Sequence, residues 1–175
     1  MIEGVQERAR AVRLMIFDVD GVLTDGTLLY GPHGEELKAF SAHDGHGIKM
    51  LAASGVGCAL LSGRRSAAVA ARAAELGIQT VLQGVEDKLG FFQTMIREKG
   101  LKPEETGYMG DELVDLPVLT RCGFACAPRE APQAVRSRVH YVPSARAGRG
   151  AAREVCEFVM RAQDRLDGAL RAYLA

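Results

Sequence analysis

The stretch Arg13-Leu-Met-Ile-Phe17-Asp18-Val-Asp20-Gly-Val-Leu-Thr-Asp25 decides the fold. Residues 13–17 are a short apolar run, the pattern of a strand buried on both faces, and the acids begin where the run ends. In a parallel α/β sheet that point is the carboxyl edge, where open sheets of this class bind ligands. Three carboxylates within eight residues repel one another. Two apart in extended chain, Asp18 and Asp20 project to the same side, so keeping both ionised requires a cation or a shared proton. Mg²⁺, a hard cation that prefers oxygen ligands, meets that requirement. Aspartates after a strand also serve as caps and turn formers, so the segment by itself leaves both readings open.

Outward from this segment, short apolar runs alternate with helical patterns, the signature of βα units. Strands are predicted at residues 13–17, 56–61, 80–82, 107–109, 123–125 and 140–142. Helices are predicted at 46–53, 66–76, 87–99, 112–121 and 131–137, with Leu89, Phe92 and Ile96 showing the helical spacing. The fold class is α/β, a doubly wound, Rossmann-like parallel sheet. One stretch departs from it: residues 27–30 and 35–40 read as strands joined by Gly31-Pro32-His33-Gly34, a β-hairpin over 27–40 projecting beside the sheet. After the turn Ala147-Gly148-Arg149-Gly150, a helix over 151–174 carries Val155, Phe158, Val159, Leu166 and Leu170 as an apolar stripe. No repeat, low-complexity tract or linker divides residues 1–175, so a single domain is expected.

The chain of 175 residues is 47% hydrophobic and 25% charged, the composition of an ordinary globular protein. Its 22 basic and 22 acidic side chains cancel, so no overall positive field draws it to nucleic acid or to an anionic membrane. Any anion site must be local. The four cysteines, Cys58, Cys122, Cys126 and Cys156, lack the close spacing of zinc ligands and read as reduced, mostly buried thiols. Glu3 and Glu7 stand where a secretory signal would carry basic residues, and no apolar run approaches the roughly 20 residues of a membrane span. A cytoplasmic location is expected.

Gly110-Asp111-Glu-Leu-Val-Asp115 repeats the first arrangement, an apolar strand followed by acids, with Asp111 and Asp115 four apart on one helix face. A parallel sheet carries both strand ends to one edge, so Asp18, Asp20, Asp111 and Asp115 converge there, which capping alone does not explain. Ser62 follows Val-Gly-Cys-Ala-Leu-Leu and offers a hydroxyl, beside the Gly63 amide and the Arg64 charge, where a phosphate oxygen would sit; an N-cap serine is the other reading. Lys88 lies in the first turn of a helix, the unfavourable end for a cation in the dipole field. A cation kept there to bind an anion has that placement, and so does many a solitary exposed lysine.

With these segments in order, the chain resembles the haloacid-dehalogenase-like phosphohydrolase superfamily: Asp18-Val-Asp20-Gly-Val-Leu-Thr, Leu-Leu-Ser62-Gly-Arg, Lys88, and Gly-Asp111-Glu-Leu-Val-Asp115. The resemblance implies that Asp18 is a nucleophile forming an aspartyl phosphate and Asp20 the general acid and base. It also implies Mg²⁺ held by the Asp18 carboxylate, the Asp20 carbonyl and Asp111. Ser62 and Lys88 would bind phosphoryl oxygens, with Asp115 behind them fixing Lys88 or a metal water. Unaided chemistry agrees, because a carboxylate attacks phosphorus only when a metal and cations first neutralise the repulsion between two anions.

The motifs Gly-Glu-Glu-Leu-Lys-Ala-Phe, His-Asp44-Gly45-His-Gly47-Ile-Lys, Gly-Asp-Glu-Leu-Val-Asp-Leu-Pro and Gly148-Arg149-Gly150-Ala-Ala-Arg-Glu-Val-Cys are similar to the 3-deoxy-D-manno-octulosonate (KDO) 8-phosphate phosphatase branch, over nearly the whole chain. That similarity implies a phosphoric monoester hydrolase of lipopolysaccharide synthesis. Ala147 stands where the branch often has another glycine, and His43 and His46 read as loop hydrogen-bonding partners, not metal ligands. The substrate's carboxylate lies far from its phosphate and needs a second cation; Arg64 and Arg149 are the candidates, the glycines beside Arg149 permitting close backbone approach. A phosphatase for nine-carbon keto acids, of the sialic acid or deaminated neuraminate type, shares the hairpin and motifs and remains the alternative. A receiver domain is disfavoured because its acids precede a central-strand phosphoacceptor. A noncatalytic relative is disfavoured because every charged catalytic position is retained. The 44 positions from Asp18 to Ser62 and the 23 from Lys88 to Asp111 leave no room for a large cap domain. The hairpin, with Leu28, Tyr30, Leu37 and Phe40, is therefore expected to pair between subunits, as in the similar phosphatases, giving a homotetramer whose neighbours cover one another's sites.

Overall fold

The computed structural model describes residues 2–171, 173 and 174. Strands β1 (Leu14–Phe17), β4 (Gly57–Ser62), β5 (Thr80–Gln83), β6 (Thr106–Met109) and β7 (Phe124–Cys126) form one parallel sheet in the order β5-β4-β1-β6-β7. The chain begins in the middle, winds outward through β4 and β5, and returns across β1 to β6 and β7. This reversal sets the carboxyl ends of β1 and β6 side by side, Phe17 opposite Met109, at the switch point where such sheets leave a crevice.

The apolar runs are continuous because both faces of the sheet are covered. Met15 and Phe17 pack with α1 (Ile2–Arg10), α2 (Ala42–Ala53), α3 (Ala67–Leu76), α7 (Ala151–Ala162) and α8 (Leu166–Arg171). Leu14 and Ile16 point the other way, toward α4 (Lys88–Glu98), α5 (Leu116–Leu119) and α6 (Gln133–Arg136). Two separated sequence motifs meet in the first layer. Asp44, buried on α2, accepts hydrogen bonds from the Gly150 and Arg153 amides at 3.1 and 2.9 Å and so caps α7. No helix among the described residues is long and apolar enough to cross a membrane.

Several predicted elements are corrected. Residues 140–142 form no strand: Tyr141 makes a single bridge to Cys126, and the Ala125 amide donates to His140 Nδ1 at 2.8 Å, which removes a donor from any ladder there. The helix over 151–174 is broken into α7 and α8, with position 172 outside the described residues. Asp164, at φ 57°, takes the left-handed turn that ends α7, and the Arg165 amide reaches back to the Met160 carbonyl at 2.8 Å. The Gln163 side chain fixes this break by donating to the Val12 carbonyl at 2.7 Å. The helix over 112–121 is only a 3₁₀ turn at Leu113–Asp115 followed by α5, because the chain wraps around the Asp115 carboxylate first. The helix over 131–137 is shorter than expected, spanning only the α6 turn after Pro132. The helix over 46–53 starts earlier, at Ala42, where Ser41 caps it by accepting from the Asp44 amide.

The hairpin is present as β2 (Leu29–Tyr30) and β3 (Glu36–Leu37), antiparallel, with Leu29 opposite Leu37 and Tyr30 opposite Glu36. Leu28, Leu29, Tyr30 and Leu37 are exposed, whereas Phe40 packs against the core and leaves the hairpin's apolar surface. Among the described residues no large cap interrupts the sheet; the segment after β1 holds only the hairpin and α2, and that after α4 only a 3₁₀ turn at Pro103–Glu105 before β6.

Candidate active site

The β1–β6 ladder continues one residue past β1, the Asp18 amide donating to the Met109 carbonyl at 2.9 Å. The chain then turns sharply around Thr24, whose buried hydroxyl accepts from the Gly21 and Gly26 amides at 3.3 and 3.2 Å. Gly21 sits at φ 75°, and a Cβ there would collide with the Asp111 carboxylate, so only glycine lets this loop lie against the end of β6. Asp18, Asp20, Ser62, Gly63, Arg64, Lys88 and Asp111 all line one cavity of about 530 Å³ above the switch point, a volume in the range of small-ligand sites.

Lys88 is buried, which removes the reading of it as an ordinary surface lysine. Its ammonium donates to Asp18 Oδ2 and to Asp115 Oδ1, each at 2.6 Å. Burial pulls its pKa down, but the two carboxylates outweigh that and leave it above the usual lysine value. Asp115, fully buried, also accepts from the Tyr108 hydroxyl at 2.6 Å and from the Asp111 and Glu112 amides at 3.0 and 3.1 Å. Its oxygens are thus spent on holding Lys88 and the loop, so it fixes the lysine and not a metal. Ser62 is buried at the end of β4 and accepts from the Arg64 amide at 3.3 Å; the serine that precedes α3 is Ser66, so Ser62 caps no helix.

One ligand oxygen each from Asp18, Asp111 and Asp115 lies within 4.8 Å of the others. Burial and then the Asp115 charge raise the pKa of Asp18, against the opposing pull of Lys88. Asp111 has no ion-pair partner among the described residues, and burial together with Asp18 and Asp115 pushes its pKa up to about 7. A carboxylate left short of positive charge beside a second carboxylate fits a hard divalent cation. A pH dependence follows. Because the folded-state pKa of Asp111 exceeds its unfolded value of 3.8, its protonated form favours the metal-free fold, fully below about pH 4 and progressively less as pH rises through 7. Mg²⁺ competes with those protons, so it should raise the Tm of the metal-free protein more at pH 8 than at pH 5. Equal gains at both pH values in thermal melts would count against Asp111 as a ligand.

The structure separates Asp18 from Asp20. Instead of sharing one cation, each carboxylate has its own lysine, because the chain leaves extended geometry after Asp18. Asp20 Oδ1 accepts from Lys38 Nζ, and Asp20 Oδ2 lies 3.9 Å from Arg64 Nε. Lys38 also pairs with Glu36, and Arg64 donates to Glu36 Oε2 at 3.0 Å and to the Tyr30 hydroxyl at 2.8 Å. The sequence reading assigned Lys38 and Glu36 no role of their own, and Tyr30 only a place in the hairpin's apolar surface. The available signal was the spacing of Glu36 and Lys38, two apart on one face of a strand beside the acidic segment. Arg149 is exposed and is not among the residues that line the cavity. The Gly148 backbone packs against Thr24, donates to the Val22 carbonyl at 3.0 Å, and leaves the Arg149 charge near Asp25.

No family model matches the chain. It is 42% identical over 167 residues to a 3-deoxy-D-manno-octulosonate 8-phosphate phosphatase of Yersinia pestis, covering 95% of this chain and 89% of that one. It is 41% identical over 162 residues to the phosphatase of that name from Escherichia coli K12, covering 93% and 86%. A crystal structure of the Moraxella catarrhalis phosphatase, in complex with magnesium ion, phosphate ion and KDO, superposes with a TM-score of 0.97 at 35% identity, covering 99% of both chains.

Proposed function

The chain belongs to the 3-deoxy-D-manno-octulosonate 8-phosphate phosphatase family of haloacid-dehalogenase-like phosphohydrolases, and from that premise we propose that it hydrolyses KDO 8-phosphate to KDO and phosphate with Mg²⁺ as cofactor. The observation that carries this reading is the buried Asp18–Lys88 pair beside Asp111, which has no ion-pair partner among the described residues, at the floor of the cavity. The Asp18 and Asp111 carboxylates and the Asp20 carbonyl would hold Mg²⁺, which when bound supplies the positive charge that lets an anionic phosphate approach an anionic nucleophile.

The chain's own residues do the rest. Lys88, the Ser62 hydroxyl and the Gly63 amide hold the phosphoryl oxygens as charge redistributes. An Asp18 oxygen bonds to phosphorus, the bond from phosphorus to the sugar oxygen breaks, and Asp20 gives that oxygen a proton. Asp20 then takes a proton from the water that attacks phosphorus, releasing phosphate and freeing Asp18. Of the two arginines considered for the substrate carboxylate, Arg64 is the better placed because it lines the cavity. Measured phosphate release from eight-carbon and nine-carbon keto acid phosphates, with and without Mg²⁺, tests the reading. Mg²⁺-dependent release with higher kcat/KM for the eight-carbon acid is expected. A preference for the nine-carbon acid would reassign the substrate, and no release from either would overturn the function.

We further infer a homotetramer acting in the cytoplasm in lipopolysaccharide synthesis. Unpaired cysteines support a reducing compartment. Exposure of 43% to 58% at Leu28, Leu29, Tyr30 and Leu37 leaves more apolar surface than a two-stranded ribbon keeps in water, which supports burial of the hairpin against other copies. Sedimentation at assay concentration should give a tetramer, and deletion of residues 28–37 should break assembly and sugar-acid turnover together. A fully active monomer would refute the assembly.

A further inference from the structure

The acid/base role proposed for Asp20 demands more than the local chain supplies. Asp20 stands on a turn, and its backbone is held through Thr24, but its side chain rotates freely unless something grips it. Proton transfer needs donor and acceptor oxygens about 2.6–3.2 Å apart. A displacement of about 1 Å can lower a rate on the order of 10²-fold.

The grip comes from the hairpin. The Lys38 side chain is only 2% exposed, and its ammonium lies between Asp20 Oδ1 and Glu36 Oε1. Lysines are seldom buried unless paired, and an apolar residue would dock the hairpin without the cost of desolvating a charge. What the ammonium adds is direction. Among the described residues the ion pairs of Asp20 are with Lys38 and Arg64, both on the hairpin side of the cavity, whereas Asp18 and Asp115 share Lys88 on the floor. We propose that Lys38 is the positioning residue for Asp20, turning its carboxyl away from the phosphate floor and toward the sugar oxygen that leaves. Glu36 keeps the ammonium in place while Asp20 gives up and regains its proton, and Lys38 itself donates no proton to the substrate. Glu36 is in turn fixed by Arg64, so the hairpin is latched to Asp20 by two cations and one further acid.

This inference rests on Asp20 being the proton donor, and a comparison of leaving groups tests the two separately. The alkoxide leaving KDO 8-phosphate needs a proton; the phenolate leaving p-nitrophenyl phosphate needs little help. The readout is kcat/KM, which ends at departure of the leaving group and so excludes hydrolysis of the aspartyl phosphate. Lys38→Met should lower kcat/KM for KDO 8-phosphate by roughly 10- to 100-fold and for p-nitrophenyl phosphate by less than about 3-fold, with Lys38→Arg restoring most of the loss. In an Asp20→Asn background, Lys38→Met should lower KDO 8-phosphate turnover no further. Equal losses on both substrates would make Lys38 merely structural and overturn the proposal. Should Lys38→Met fail to fold, Lys38→Gln carries the same comparison. If Asp20→Asn itself distinguishes the substrates while the Lys38 variants do not, the inference fails and the Asp20 assignment stands. If Asp20→Asn does not distinguish them, the assignment of Asp20 fails first.

Discussion

The Asp18→Asn protein should release phosphate from KDO 8-phosphate at least roughly 10⁴-fold more slowly than the parent, equivalent to about 5.5 kcal/mol of barrier. The amide keeps the volume of the carboxylate but is a far poorer nucleophile, and it removes one charge from the metal set. The same change should leave the metal-free fold as stable or more stable near pH 8. Asp18 is a carboxylate whose pKa is raised by burial and by Asp115, so ionising it works against the fold, and a neutral residue relieves that. Lys88 stays paired, because Asp115 still accepts from it. Loss of turnover with an unchanged or higher Tm is the signature of a functional residue that costs stability. Turnover near that of the parent would eliminate Asp18 as the nucleophile, whereas an unfolded variant would show that the acid is structural.

Asp115→Ala should be the most destabilising substitution near the site. Its carboxylate is fully buried and accepts from Lys88, the Tyr108 hydroxyl and two backbone amides. Truncation strands the Tyr108 hydroxyl and the two amides and leaves Lys88 with Asp18 alone, and breaking a buried charge pair costs about 3–5 kcal/mol. Against a typical stability of about 5–15 kcal/mol this is severe, and it corresponds to a Tm lower by roughly 10 °C. Activity should fall with it. The loop that carries Asp111 is wrapped around this carboxylate, and Gly110 lies so close that a Cβ there would sit 2.5 Å from Asp115 Cγ. A melt and a phosphate assay on the Asp115→Ala protein decide the matter. An unchanged Tm would show that other groups satisfy Lys88 and Tyr108.

Much of the molecule was legible without coordinates. The run 13–17 announced a central strand because burial on both faces demands unbroken apolar residues, and the acids after it announced a site because parallel strands end on one edge. The same logic placed Asp111 and Ser62, and the fold class followed from the alternation of apolar runs with helical spacing. These patterns are local: each is set by a few consecutive residues and the period of the element they occupy. The strand at 140–142 was overread for the same reason, since nothing in those residues reveals that His140 takes the Ala125 amide for itself.

What only the tertiary structure decided is which charges meet. Sequence placed Asp18 and Asp20 on one side and asked for a cation or a shared proton; the turn after Asp18 sends their carboxylates to Lys88 and Lys38 instead. Asp44 and Gly150 stood in motifs far apart, and packing of α2 on α7 joins them as a helix cap. Arg149 looked like a site residue from its glycine neighbours, but the packing of Gly148 on Thr24 leaves it outside the cavity. The physical reason is common to all three. Hydrophobic periodicity follows from backbone geometry that repeats along the chain, whereas an ion pair or a cap depends on the distance between residues that only the completed fold brings together.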